Sequence, residues 1–154
     1  MANIKVARLR NRPYRVNYID DGIKKPYVWA GSKGNVIDIK EIPENVVNYL
    51  LMFTICFKNG SLKIIEDNDT SIELASNIDG KDNYDSNTHT KEQITKLLEG
   101  NFMKMKSELG KITVRQEKEF VVEVAKEIKL DSASKRQFIA EWVGVDEDLL
   151  FVKE

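Results

Sequence analysis

The spacing of apolar residues changes its period along the chain, and that change sets what the chain can fold into. Within the first 66 residues, Tyr14, Val16 and Tyr18 alternate with Arg15 and Asn17, the two-residue repeat of strands lying on a core. After residue 90, apolar residues recur at helical spacing, as in Ile94, Leu97 and Leu98. Between these stretches the chain is rich in Asp, Asn, Ser and Thr, with Ile72, Leu74, Ile78 and Tyr84 as its sizeable apolar anchors. The pattern predicts an α+β chain with a small β-rich N-terminal domain holding one short helix (1–66), a polar linker or arm (67–90) and a C-terminal three-helix module (91–154).

Local signals sharpen the outline. Asp21-Gly22 tolerates the positive φ of a tight turn, so residues 14–19 and 23–29 read as a hairpin, with Pro26 at an edge because it has no amide donor. A loop over 30–35 and a short alternating segment over 36–39 follow. Pro43 fits the first turn of a helix with Val46, Val47, Leu50 and Leu51 on its apolar face. Asn59-Gly60 predicts a second hairpin, joining Thr54–Phe57 to Ser61–Ile65. In the helical part, Thr90 with Gln93 forms a capping box, Gly100 interrupts before Phe102, Met105 and Leu109, and Thr113 caps a second helix. Ser132 or Ser134 caps a third helix, which Gly144 ends.

Several function classes find no support. A chain of 154 residues can bury a core without staples, and its one cysteine, Cys56, cannot form an internal disulfide. Phe53, Ile55 and Phe57 around it point to a buried structural thiol in a reducing cytosol. No apolar run reaches the length of a membrane span, and no apolar segment follows the basic start MANIKVARLR, so neither a membrane partner nor a secretory signal is expected. The single histidine, His89, stands in the polar stretch and reads as a solvated linker residue. Gly31-Ser-Lys-Gly34 lacks the spacing and ending of a phosphate loop, and Glu66, Asp67, Asp69 and Asp79 fit no calcium-loop pattern. The expectation is a protein with no catalytic activity, cofactor, metal or small-molecule substrate.

Charge is distributed unevenly. The 24 Lys and Arg nearly balance 25 Asp and Glu, yet residues 1–40 carry nine basic and three acidic side chains while residues 41–90 carry three and nine. Such opposed segments attract within a chain or between copies. The run Lys5, Arg8, Arg10, Arg12 and Arg15 contains no acid among its neighbours. It reads in three ways: a solvated edge strand protected by charge, a protein contact, or a nucleic-acid contact. The candidate interface is Arg8, Arg10, Arg12 and Arg15 for polar contacts, with Tyr14 and Trp29 as aromatic anchors; Trp29 and Trp142 also read as core. Residues 117–144, a helix, a short extended stretch and a helix starting at Lys135, resemble the helix-extended-helix arrangement of SAP-like modules, some of which bind DNA. The glutamates of the first helix depart from the DNA-binding members.

A broader resemblance rests on Trp29-Ala-Gly-Ser-Lys-Gly, Asp38-Ile-Lys-Glu-Ile-Pro-Glu-Asn-Val-Val-Asn-Tyr-Leu and Thr54-Ile-Cys-Phe-Lys-Asn-Gly-Ser-Leu. In style and order these segments resemble small structural proteins of tailed phages, prophages and phage-tail-like particles of low-GC Gram-positive bacteria. The resemblance implies a non-catalytic virion component, assembled in the bacterial cytoplasm and contacting copies of itself and neighbouring shell, neck or tail proteins. The alternative reading is a DNA-binding accessory or regulatory protein using the basic N-terminal strands, the C-terminal helices or both.

Overall fold

The structure, a computed structural model, describes residues 3–33 and 36–151. The chain divides into two compact units, Met1–Thr88 and His89–Glu154. The class is α+β, with the strands in the first unit and, among the described residues, helices alone in the second.

In chain order the first unit contains β1 (Asn3–Arg8), β2 (Tyr14–Asp20), β3 (Ile23–Trp29), β4 (Asp38–Pro43), α1 (Glu44–Phe53), β5 (Lys63–Ile64), α2 (Asp69–Ser76) and α3 (Lys81–Ser86). β1 is the centre of a three-stranded antiparallel sheet, between β4 and β5, and the β2–β3 hairpin forms a second sheet. The hairpin turns at Asp21 and Gly22, whose φ values of 53° and 79° give the doubly left-handed turn that matches strand twist. Its alternation sends Val16 and Trp29 into the core, with Tyr14, Tyr18 and Tyr27 packed at its margin. Both hairpin strands are edges, which is where Pro26 is tolerated. Val46, Val47 and Leu50 bury one face of α1, and Pro43 sits at its N-cap, one residue before the first turn.

Two expectations fail here. Asn59-Gly60 does not turn a hairpin, because residues 54–62 coil instead: the Asn59 N–H donates to Ile55 O (2.9 Å), the Gly60 N–H to Phe57 O (3.0 Å) and the Leu62 N–H to Cys56 O (2.9 Å). Cys56 and Phe57 are consecutive and both buried, which an alternating strand on a one-sided sheet does not allow. Only Lys63 and Ile64 remain as strand, paired with β1.

The second failure is the expected linker or arm over 67–90. Asn68 caps α2 through a reciprocal box with Ser71, the Ser71 N–H donating to Asn68 Oδ1 (2.8 Å) and the Asn68 N–H to Ser71 Oγ (3.1 Å). Leu74, Ala75, Ile78 and Tyr84 then enter the core of the first unit. The Tyr84 hydroxyl accepts the Ile64 N–H at 3.1 Å, tying α3 to β5. The polar residues that suggested a linker or arm are caps and the outer faces of two short helices, so among the described residues the β-rich domain carries three helices, not one.

The second unit contains α4 (Lys91–Glu99), α5 (Phe102–Leu109), α6 (Arg115–Glu127), α7 (Ala133–Val143) and α8 (Glu147–Leu150). Ile94, Leu98, Met105, Phe120, Val121 and Ile139 lie in its core. The Thr90 and Gln93 box caps α4, Ser132 caps α7, and Gly144 ends α7 with φ 76°. The three expected helices become five, because Gly100 and Asn101 separate α4 from α5 and α8 follows Gly144. Val114, not Thr113, occupies the N-cap of α6.

Replacing residues 69–86 by a flexible Gly/Ser segment of equal length tests the role of α2 and α3. In a Trp142→Phe background, the fluorescence of Trp29 is expected to become that of a solvated indole; a polar arm would leave it buried.

Candidate functional site

The basic run is split between the interior and the surface. Along β1, Arg8 shares a face with Ile4 and Val6, and Arg10 continues the same alternation past the strand end. Both arginines turn inward and are 6% and 3% exposed. The Arg8 Nε–H donates to Arg12 O (3.0 Å) and its Nη1–H to Ser61 O (2.8 Å), while its guanidinium carbon lies 5.1 Å from the centre of the Tyr14 ring. Arg10 Nη2 donates to Asn59 O (3.0 Å) and Asn87 O (3.2 Å). Gly60 has φ +74°, and a Cβ there would lie 2.1 Å from Asn87 O, so the 54–62 loop meets the end of α3 at a point where only glycine fits. Carbonyl dipoles from three separate segments thus solvate two buried charges.

These contacts correct the expected interface. Arg8 and Arg10 are internal ties, and Trp29 is fully buried, its Nε1–H donating to Val6 O at 3.0 Å. Tyr14 is half-buried; burial, the largest cause, raises its hydroxyl pKa. Arg12 and Arg15 remain exposed. Lys5 pairs with Asp67 at 3.2 Å. The Gly31–Gly34 motif, whose last residue lies outside the described residues, also serves the fold: the Gly31 N–H donates to Asp38 Oδ2 (2.9 Å), and Ser32 Oγ donates to Arg8 O (2.6 Å) while accepting the Asp38 N–H (2.9 Å).

Cys56 is buried, as the flanking aromatics implied. Thr54 Oγ1 lies 2.7 Å from Leu50 O and 3.1 Å from Cys56 Sγ. Burial outweighs that hydrogen bond and pushes the thiol from 9.0 up to about 11. Such a thiol is a packing group, not a nucleophile.

In the second unit His89 is not a solvated linker residue. Its backbone N–H donates to Glu117 Oε2 (3.0 Å), and its Nδ1 lies 3.1 Å from the same oxygen. Glu117 is buried on the α6 face shared with Phe120, Val121 and Val124, so a carboxylate fastens the segment before α4 to α6. The helical phase of Glu117 was the signal available in the sequence. In and beside the helix-extended-helix unit, three cations are spent internally, while Lys126 and Lys129 stay exposed. Lys135 Nζ donates to Leu98 O (2.6 Å) and Gly100 O (2.8 Å), Arg136 Nε to Leu130 O, and Arg115 Nη1 to Val143 O (2.9 Å). Lys135 and Arg115 close helix ends, and Arg136 ties down the stretch between α6 and α7.

One surface feature escaped the sequence reading. Asn45 Nδ2 donates to the Tyr18 hydroxyl at 3.2 Å, Tyr18 meets Tyr49 edge-on with ring centres 5.0 Å apart, and Tyr49 meets Phe53 at 5.0 Å. Beside this aromatic row, Met52, Phe53 and Ile55 are 75%, 67% and 65% exposed. Phe53, seven residues after Val46, keeps the phase of the face of α1 that Val46, Val47 and Leu50 bury and is exposed at the helix end, whereas Met52 is an apolar residue off that face. That phase mismatch was the signal available. Among the described residues, no group of three or more His, Cys, Asp or Glu side chains is placed to hold a metal, and no helix is long and apolar enough to cross a membrane.

Two outcomes check this geometry. Arg10→Ala is expected to lower stability in urea by about 2–4 kcal/mol through its unsatisfied carbonyl partners, whereas Arg12→Ala stays within about 0.5 kcal/mol. For Cys56 the folded pKa is raised, so its contribution to stability is complete below 9.0 and is lost as pH rises through about 11. The urea midpoint should therefore fall over that range, and less so in Cys56→Ala.

No curated protein and no solved structure matches the chain. A family model described as the YonA N-terminal domain matches residues 2–80, and one described as the YonA C-terminal domain matches residues 90–149. The name is of a prophage type and is consistent with a phage-associated protein. With the first match covering half the chain and the second following in order, the chain belongs to the YonA family.

Proposed function

We propose that the chain is a non-catalytic assembly component of a phage or phage-tail-like particle, built in the bacterial cytoplasm, that contacts copies of itself and neighbouring shell, neck or tail proteins. The observation that carries this reading is the exposed apolar set Met52, Phe53 and Ile55 beside the Tyr18–Tyr49–Phe53 row. Leaving three adjacent large apolar side chains in water forgoes about 1.5–3 kcal/mol each, a loss that partner burial recovers. Aromatic anchors with a polar surround suit a protein partner better than a phosphate backbone. Family membership supports the phage setting.

The DNA-binding alternative has less to work with. Nucleic-acid affinity comes from cations free to displace counterions. Arg8 and Arg10 are held by backbone carbonyls inside the first unit, and Lys135, Arg136 and Arg115 are held by backbone carbonyls in the second.

Gradient-purified particles from a lysate of the encoding phage test the proposal. The chain is expected to co-sediment with the particles, and a Met52→Ser/Phe53→Ser/Ile55→Ser variant to fold but be depleted from them by about tenfold or more. A chain absent from particles, with duplex DNA binding that falls steeply with salt, contradicts it.

A further inference from the structure

The hairpin register pairs Arg15 with Val28 and Ile19 with Lys24. All four side chains therefore lie on the sheet face turned away from Val16 and Trp29. Arg15 and Lys24 are exposed, and Ile19 and Val28 are half-exposed, so this face combines two cations with a small apolar surface. Neither cation has an ion pair among the described residues.

A surface of opposite sign lies on the same unit. In α2, Asp69, Ile72 and Glu73 follow three-and-four spacing and form one exposed stripe, with Ile72 between two acids. Asp67 and Asp79 nearby are paired with Lys5 and Lys58, but Asp69 and Glu73 have no ion pair among the described residues. The two surfaces match in kind, each carrying two like charges beside exposed branched apolar side chain, two residues on the hairpin and one on α2, and they do not neutralise each other within the chain.

Resting on the assembly reading, we infer that the outer face of the β2–β3 hairpin docks on the α2 stripe of a second copy of this chain. Arg15 and Lys24 face Asp69 and Glu73, and Ile19 and Val28 cover Ile72. The contact joins two different surfaces, so every copy keeps one of each free, and the association closes into a ring or continues as a filament. The competing explanation is that the charges only shield an edge hairpin from aggregation, which requires no complementary surface.

Sedimentation velocity over a range of protein and salt concentrations tests the inference with Arg15→Glu/Lys24→Glu and Asp69→Lys/Glu73→Lys. All four positions are at the surface, and circular dichroism verifies folding. The wild type should self-associate and do so less as salt rises. Each reversed pair should weaken association by about tenfold or more, and mixing the two variants or combining all four changes should restore it. Unchanged association in both variants overturns the assigned surfaces and leaves the assembly reading standing. A wild type that stays monomeric also overturns the inference, and particle co-sedimentation then decides the assembly reading by itself.

Discussion

Two guanidinium groups inside the first unit hold together segments that have little else in common. Arg10 binds the carbonyls of Asn59 and Asn87, and Arg8 binds those of Arg12 and Ser61. The partners lie on the turn into the hairpin, in the coil after α1 and at the end of α3. None of these stretches is a regular strand, so their carbonyls have no ladder to satisfy them. A planar fork of five donors suits such a junction in a way that lysine would not. Gly60 makes the junction close, and Tyr84 and Trp29 extend it through hydrogen bonds to the Ile64 amide and the Val6 carbonyl.

This use of arginine divides the molecule's charge into two populations. The inner arginines, with Lys135, Arg136 and Arg115 in the second unit, satisfy backbone carbonyls. The outer ones, Arg12 and Arg15 with Lys24, face solvent, the last two beside Val28 and Ile19. Buried charge gains specificity from fixed partners, while surface charge steers association and sets register. A chain built in this way holds its own fold together with the residues that looked most like a binding site, and leaves less obvious ones at its surface.

The sequence made the fold legible wherever a signal was local. The Asp21-Gly22 hairpin, the Thr90 box, the Ser132 cap and the Gly144 stop each depend on a few neighbouring residues and stand as expected. Where tertiary demand overrode local preference, the reading failed. Asn59-Gly60 turns the chain, but the joint burial of Cys56 and Phe57 denies it flanking strands. Residues 67–90 have the composition of an arm, yet Leu74, Ala75, Ile78 and Tyr84 suffice once a preformed core receives them. For the candidate site, the alternation Ile4, Val6, Arg8, Arg10 already placed the two arginines on the inner face. Their charge argued for the surface, and apart from Arg12 O the carbonyls named as receiving them come from residues about fifty and more positions away, which no local pattern reveals.

The most direct test of this division is the solvent exchange of arginine Nε–H protons, resolved by nitrogen-15 NMR and assigned with Arg12→Lys and Arg15→Lys variants. Arg8 Nε–H donates to Arg12 O inside the fold, so its signal should be displaced and slow to exchange, while those of Arg12 and Arg15 exchange as in a free side chain. Equal, rapid exchange at Arg8, Arg12 and Arg15 would contradict the account, because it would return the basic run to the surface.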